Sequence, residues 1–111
     1  MARSRILFTM LFLLLTAAHI APALSAEPIK LLFLGDNGAH RPADRFKDLQ
    51  PVLKERSIEL TYTDRVADLN PETLAKYAGL VIYANQDKIS SEQEKALLDF
   101  VAGGKGLVPL H

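Results

Sequence analysis

Residues 28–42 read Pro28-Ile29-Lys30-Leu31-Leu32-Phe33-Leu34-Gly35-Asp36-Asn37-Gly38-Ala39-His40-Arg41-Pro42. An apolar run stops at a glycine and gives way to polar, turn-prone residues, which predicts a strand and the loop at its carboxyl end. Apolar residues on both faces suit a parallel strand covered on both sides. In open parallel sheets, ligands bind in the loops that leave the carboxyl ends of the strands.

Working outward, residues 42–55 place Phe46, Leu49, Val52 and Leu53 at helical spacing. Pro51 falls inside that helix and predicts a kink or a division into two shorter helices. Ile58–Thr63 alternates apolar and polar residues, the pattern of an edge strand. Asn70-Pro71 gives a capped helix start, with Leu74 and Tyr77 pointing inward. Gly79–Ala84 is a second continuous apolar run, followed by polar Asn85–Lys88. Ser90-Ser91-Glu92-Gln93-Glu94 offers a capping box from Ser90 to Gln93 or from Ser91 to Glu94. The helix it opens should bury Ala96, Leu97, Phe100 and Val101 and end at Gly103-Gly104 in a left-handed cap. Lys105–Leu110 is a fourth strand.

Strand and helix therefore alternate. Right-handed crossovers turn that order into an α/β, flavodoxin-like, three-layer parallel sheet with strand order 2-1-3-4. The topological switch lies between strands 1 and 3, flanked by the loops at Asp36–Pro42 and Asn85–Lys88, with His111 next along the same rim.

The first 26 residues read differently. Arg3 and Arg5 precede an apolar core at Ile6–Leu15, and small residues follow it, which is the pattern of a secretory signal cleaved after Ala23 or Ala26. His19 and Pro22 interrupt the segment short of the roughly 20 apolar residues a membrane span needs. Export, and no stable membrane insertion after cleavage, are the expectations. The 111 residues include no cysteine, which excludes disulfides and thiolate chemistry among them.

Removing Arg3 and Arg5 from 13 basic residues leaves 11 against 13 acidic ones, a net of −2 without blocks. Nothing marks the clustered positive charge that nucleic acid or anionic membranes require. Residues 27–111 are a small working length for a doubly wound domain, and the pattern predicts continuation beyond His111.

No zinc-protease, nucleophile-elbow, Walker or dinucleotide fingerprint is present, and the residues assign no metal and no cofactor. The chemistry-bearing candidates are the polar residues of the crevice. His40 and His111 are acid–base candidates; His40 is otherwise a solvated loop residue, and His111 otherwise a metal ligand or a buried histidine hydrogen-bonded to a neighbouring strand end. Arg41 suits a carboxylate, a phosphate or sugar hydroxyls, or is a solvated loop residue. Asp36 is placed to accept from a ligand hydroxyl or to cap the next helix. Asn37-Gly38 reads as a tight turn tolerant of positive φ. Asn85 is placed to hydrogen-bond across the crevice or to form an Asx-turn.

With these stretches in view, the chain resembles the ThuA-like (trehalose utilisation) family. The resemblance rests on Leu34-Gly35-Asp36-Asn37-Gly38-Ala39-His40-Arg41-Pro42, Tyr83-Ala84-Asn85, Glu92–Leu97 and Phe100-Val101-Ala102-Gly103-Gly104-Lys105-Gly106-Leu107-Val108-Pro109-Leu110-His111. It implies the fold of class I glutamine amidotransferases, with His111 standing where those enzymes place a nucleophilic cysteine, and so argues against glutaminase chemistry. It also implies a small-molecule, carbohydrate ligand such as a disaccharide or keto-sugar, with Asp36, Asn37, Arg41 and Asn85 as binding groups. Relatives often carry two adjacent histidines where this chain has Ala39-His40, and a histidine where it has Gln86. Any shared-proton or metal role for those histidines would lose a partner here. Two functional readings stay open: an exported enzyme domain acting on a sugar, and a non-catalytic binding or interaction module of a larger exported protein, one version of which carries a c-type haem domain.

Overall fold

The computed structural model describes residues 25–111. The segment 1–26, expected to be a secretory signal, therefore lies outside the described residues apart from its last two positions. Four strands, β1 (Ile29–Leu34), β2 (Ile58–Thr63), β3 (Gly79–Ile82) and β4 (Gly106–Pro109), form one parallel sheet ordered β2-β1-β3-β4. Helices α1 (Pro42–Lys54), α2 (Pro71–Leu74) and α3 (Ser91–Ala102) make the crossovers. A 3-10 turn at Val66–Asp68 follows β2, where the sequence pattern predicts no element.

Alternation along β1 divides the core in two. Leu32 and Leu34 face α2 and α3, packing with Leu69, Leu74, Leu80, Ala96 and Phe100. Phe33 faces α1 and packs with Leu60 and Val81, against Phe46 and Leu53. Burial of both faces by a run of consecutive apolar residues is what a central parallel strand requires.

Helix α1 runs continuously through Pro51, so the expected division into two helices does not occur. Its buried face is also narrower than the spacing suggested. Phe46 and Leu53 reach the core, while Leu49 and Val52 remain exposed. In α3, likewise, Ala96 and Phe100 are buried and Leu97 packs at the margin, but Val101 is exposed.

The helix ends follow the residues that form them. Asn70 accepts from the Thr73 amide at 2.8 Å to open α2. In α3 the Ser90–Gln93 box closes in both directions, at 3.2 and 2.8 Å. At its other end the Gly104 amide donates to the Val101 carbonyl and the Lys105 amide to the Phe100 carbonyl, the paired bonds of a Schellman motif. Gly104, rather than Gly103, adopts the left-handed conformation, with φ of 89°.

Strands β2 and β4 are the two edges of this sheet. Gln50 Nε2 donates to the outward Leu60 carbonyl at 3.4 Å. In β4 the Gly106 and Leu110 amides donate to β3, so alternation turns Pro109 outward, where its missing N–H costs no bond in the ladder. All of β4 is exposed.

Candidate functional site

Residues Leu34, Ile82 and Pro109 share one level of the sheet through β1–β3 and β3–β4 register. Asp36 and His111 therefore stand two residues beyond that level, on strands separated by β3, and Asn85 stands three beyond it. With strands about 5 Å apart, the crevice across β1, β3 and β4 is on the order of 10 Å wide at the backbone. The rim is held by extensions of the ladder: the Tyr83 amide donates to the Leu34 carbonyl and the Leu110 amide to the Ile82 carbonyl, both at 2.8 Å.

A small cavity of about 100 Å³ lies there, lined by the polar residues Asp36, His40, Asn85 and His111, by Tyr83, and by Ala84 and Leu110. The topology thus brings four of the six candidate residues together from three separate loops. A larger cavity, about 340 Å³, lies at the opposite end of the sheet beside Pro28, Lys54 and Ile58. Size favours the second cavity, but it has no histidine and lies at the amino ends of the strands, away from the switch point.

Asp36 does not make the helix cap that the sequence offered as one of its two roles, and it has a structural role besides. One carboxylate oxygen accepts from the Gly38 amide at 2.7 Å and the other from the Asn85 amide at 2.5 Å. It caps no helix. It ties the loop after β1 to the loop after β3. The Asn85 amide, then the Gly38 amide, and in smaller part the charge of His40, hold its carboxyl below the ordinary value of 3.8. The loop itself turns at Gly38–Arg41, where the Arg41 amide donates to the Gly38 carbonyl at 3.1 Å.

The positive φ expected at Asn37-Gly38 is found instead at Arg41, with φ of 53° and ψ of 58°. A non-glycine residue in this region costs about 1 kcal/mol or more. Pro42, fixed at the first helical position, follows it directly. Arg41 pairs with Asp44 in the first turn of α1, and its side chain is 76% exposed. Asn37 Nδ2 donates to Asp64 beyond β2 at 3.3 Å. Neither Asn37 nor Arg41 lines the cavity.

Two glycine and aromatic features set the floor of the loop. A Cβ built on Gly35 would come within 2.6 Å of the Tyr62 hydroxyl and 2.8 Å of Pro42 Cβ, so only glycine lets the chain leave β1 along this path. The Tyr62 hydroxyl lies 3.5 Å from the Asp36 carbonyl. Burial, with the nearby Asp64 and Asp36 charges, pushes that phenol above its ordinary value of 10.0.

Sequence reasoning passed over Tyr83 as one more apolar residue of β3. Its ring centroid lies 5.9 Å from that of His40, the planes inclined at 50°. The signal available was its position, first after the strand and on the same polar rim as Asn85. Among the described residues, no group of three or more His, Asp or Glu side chains is arranged to hold a metal ion.

Comparison of the sequence with protein-family models and with curated proteins finds no match. Comparison with solved structures finds a protein from Bacteroides uniformis described as ThuA-like, with a TM-score of 0.63 at 17% identity. The likeness covers 82% of this chain and 40% of that one. At that identity it shows a shared fold, and this chain spans well under half the length of that relative.

Proposed function

We propose that the chain is part of an exported ThuA-like domain whose switch-point crevice binds a sugar or keto-sugar derivative. The observation that carries this reading is the convergence of Asp36, His40, Asn85 and His111 on one cavity at the carboxyl ends of β1, β3 and β4. The family likeness rests on the sequence motifs and is supported by the shared fold of the Bacteroides protein. Export rests on the pattern of residues 1–26 alone.

In this reading the backbone of the crevice is already set by Asp36, and the side chains left to meet a ligand are His40, Asn85 and His111. Asn85 offers both donor and acceptor to hydroxyls. Each imidazole can take a proton from a hydroxyl or return one to a carbonyl oxygen near neutral pH. Interconversion of an alcohol-bearing and a carbonyl-bearing sugar needs a hydride acceptor or donor besides, so these residues alone support only proton-transfer steps such as enolisation or elimination. Among these 111 residues no cysteine is present to supply a carboxamide-cleaving thiolate.

Calorimetric titration of the protein with disaccharides and their keto derivatives tests this reading. Saturable heat that is lost in His40→Ala is the expected result. No heat with any of these ligands, or binding unchanged by His40→Ala, would count against it. Binding without conversion of the ligand, followed by chromatography of the mixture, would assign the crevice to a non-catalytic module.

A further inference from the structure

Two tyrosines stand half-buried on the α1 side of the sheet, and their hydroxyls are treated differently. Tyr62 packs between Phe33 and Phe46, with ring centroids 5.9 and 5.4 Å away, and its hydroxyl points at the Asp36 carbonyl. Tyr83 packs at the margin of the cluster formed by Phe33, Leu60 and Val81, yet it also lines the crevice, and its hydroxyl has no hydrogen-bond partner among the described residues. Its backbone is held at the rim by the 2.8 Å bond to the Leu34 carbonyl.

A phenol in this position presents an apolar ring and a polar tip to the same small space. His40 forms the adjoining wall, inclined at 50° to it. Asp36, Asn85 and His111 add polar groups to the perimeter, and Ala84 and Leu110 apolar ones. A ring with an apolar face for Tyr83 and polar substituents on its edge suits such walls. A pyranose has this character, because its axial C–H groups make one face apolar while its hydroxyls project equatorially.

We propose that Tyr83 is a ligand-binding residue of this crevice, the platform for the apolar face of a single pyranose ring whose hydroxyl edge meets His40, Asn85 and His111. The proposal rests on the carbohydrate reading above and names the part of the sugar that is held.

Methyl α-glucopyranoside, a single ring, and trehalose are the probes, titrated into the wild type, Tyr83→Phe and Tyr83→Leu, with saturation-transfer NMR on the bound sugar. Tyr83→Leu keeps apolar packing at the end of β3 and removes the aromatic face, and a thermal melt checks that it folds. Tyr83→Phe should bind within about threefold of the wild type. Tyr83→Leu should bind at least tenfold more weakly and lose saturation transfer to the axial ring protons. Wild-type binding that survives unchanged in Tyr83→Leu would overturn the proposal while leaving the sugar reading intact. A wild type that binds neither probe would overturn both. Should Tyr83→Leu not fold, saturation transfer in Tyr83→Phe decides: transfer concentrated on the axial protons supports the platform, and uniform or absent transfer refutes it.

Discussion

Asp36 shows how a single carboxylate can fix the geometry of two loops. Both of its oxygens accept backbone amides, one from its own loop and one from a loop 49 residues away. Hydrogen bonds to an ionised acceptor are stronger than neutral ones. Partial exposure reduces the gain, and Asp36→Ala should cost about 1 kcal/mol in a urea melt while releasing the Asn85 amide to faster hydrogen exchange. Its depressed pKa fixes the sign of the pH effect. The folded state binds the proton less readily than the unfolded chain, so the stabilisation is fully present above the unfolded value and is lost as pH falls through the folded one. Exchange protection at Asn85 should therefore persist at pH 3.8, the group's ordinary midpoint, and fail only in more acidic solution.

Gly35 acts at the same scale by leaving space. Gly35→Ala would press a methyl group against Tyr62 and Pro42, and Pro42 is held by the start of α1. Overpacking of this kind typically costs about 1–3 kcal/mol, and the thermal midpoint should fall accordingly. The displaced atoms include the tyrosine beneath Asp36, so the Asn85 amide should also exchange faster.

Among the elements, α3 is the one whose ends are written most plainly in its residues. The box between Ser90 and Gln93 satisfies amides that have no partner inside the helix. Ser90→Ala should cost about 1 kcal/mol, measured by denaturant unfolding, with the slope of the transition unchanged. The four strands, their order and the helix starts at Asn70 and Ser90 were legible in the sequence because each depends on short-range pattern and backbone chemistry. What was not legible depends on tertiary neighbours. Spacing places Leu49 and Val52 on the inner side of α1, but only the sheet's width decides that Phe46 and Leu53 are the ones covered. Pro51 signals a break, yet the helix tolerates the missing donor and continues. At the candidate site, topology alone brings four of the six candidate residues to one cavity. Asn37 and Arg41 turned instead toward Asp64 and Asp44, partners set by local turn geometry that spacing does not reveal.

At the scale of the molecule, stability is concentrated around β1 and β3. Leu80 is 1% exposed and packs among residues of β1, α2 and α3, whereas Val108 on the neighbouring strand is 49% exposed. Leu80→Ala should cost about 2–5 kcal/mol, enough to unfold a chain of marginal stability, while Val108→Ala should cost less than about 1 kcal/mol. Paired urea melts check the contrast. The site sits on the outer end of this rigid centre, at the place where strand order reverses, so its backbone is held by the most stable part of the sheet.

Two cavities at opposite ends of the sheet offer rival locations for a ligand, and chemical-shift mapping by NMR on titration with trehalose and its keto derivative separates them. The account predicts saturable shifts at His40, Tyr83, Asn85 and His111, with the amides around Pro28, Lys54 and Ile58 unmoved. Shifts confined to that second group, or no saturable shifts at all, would contradict it.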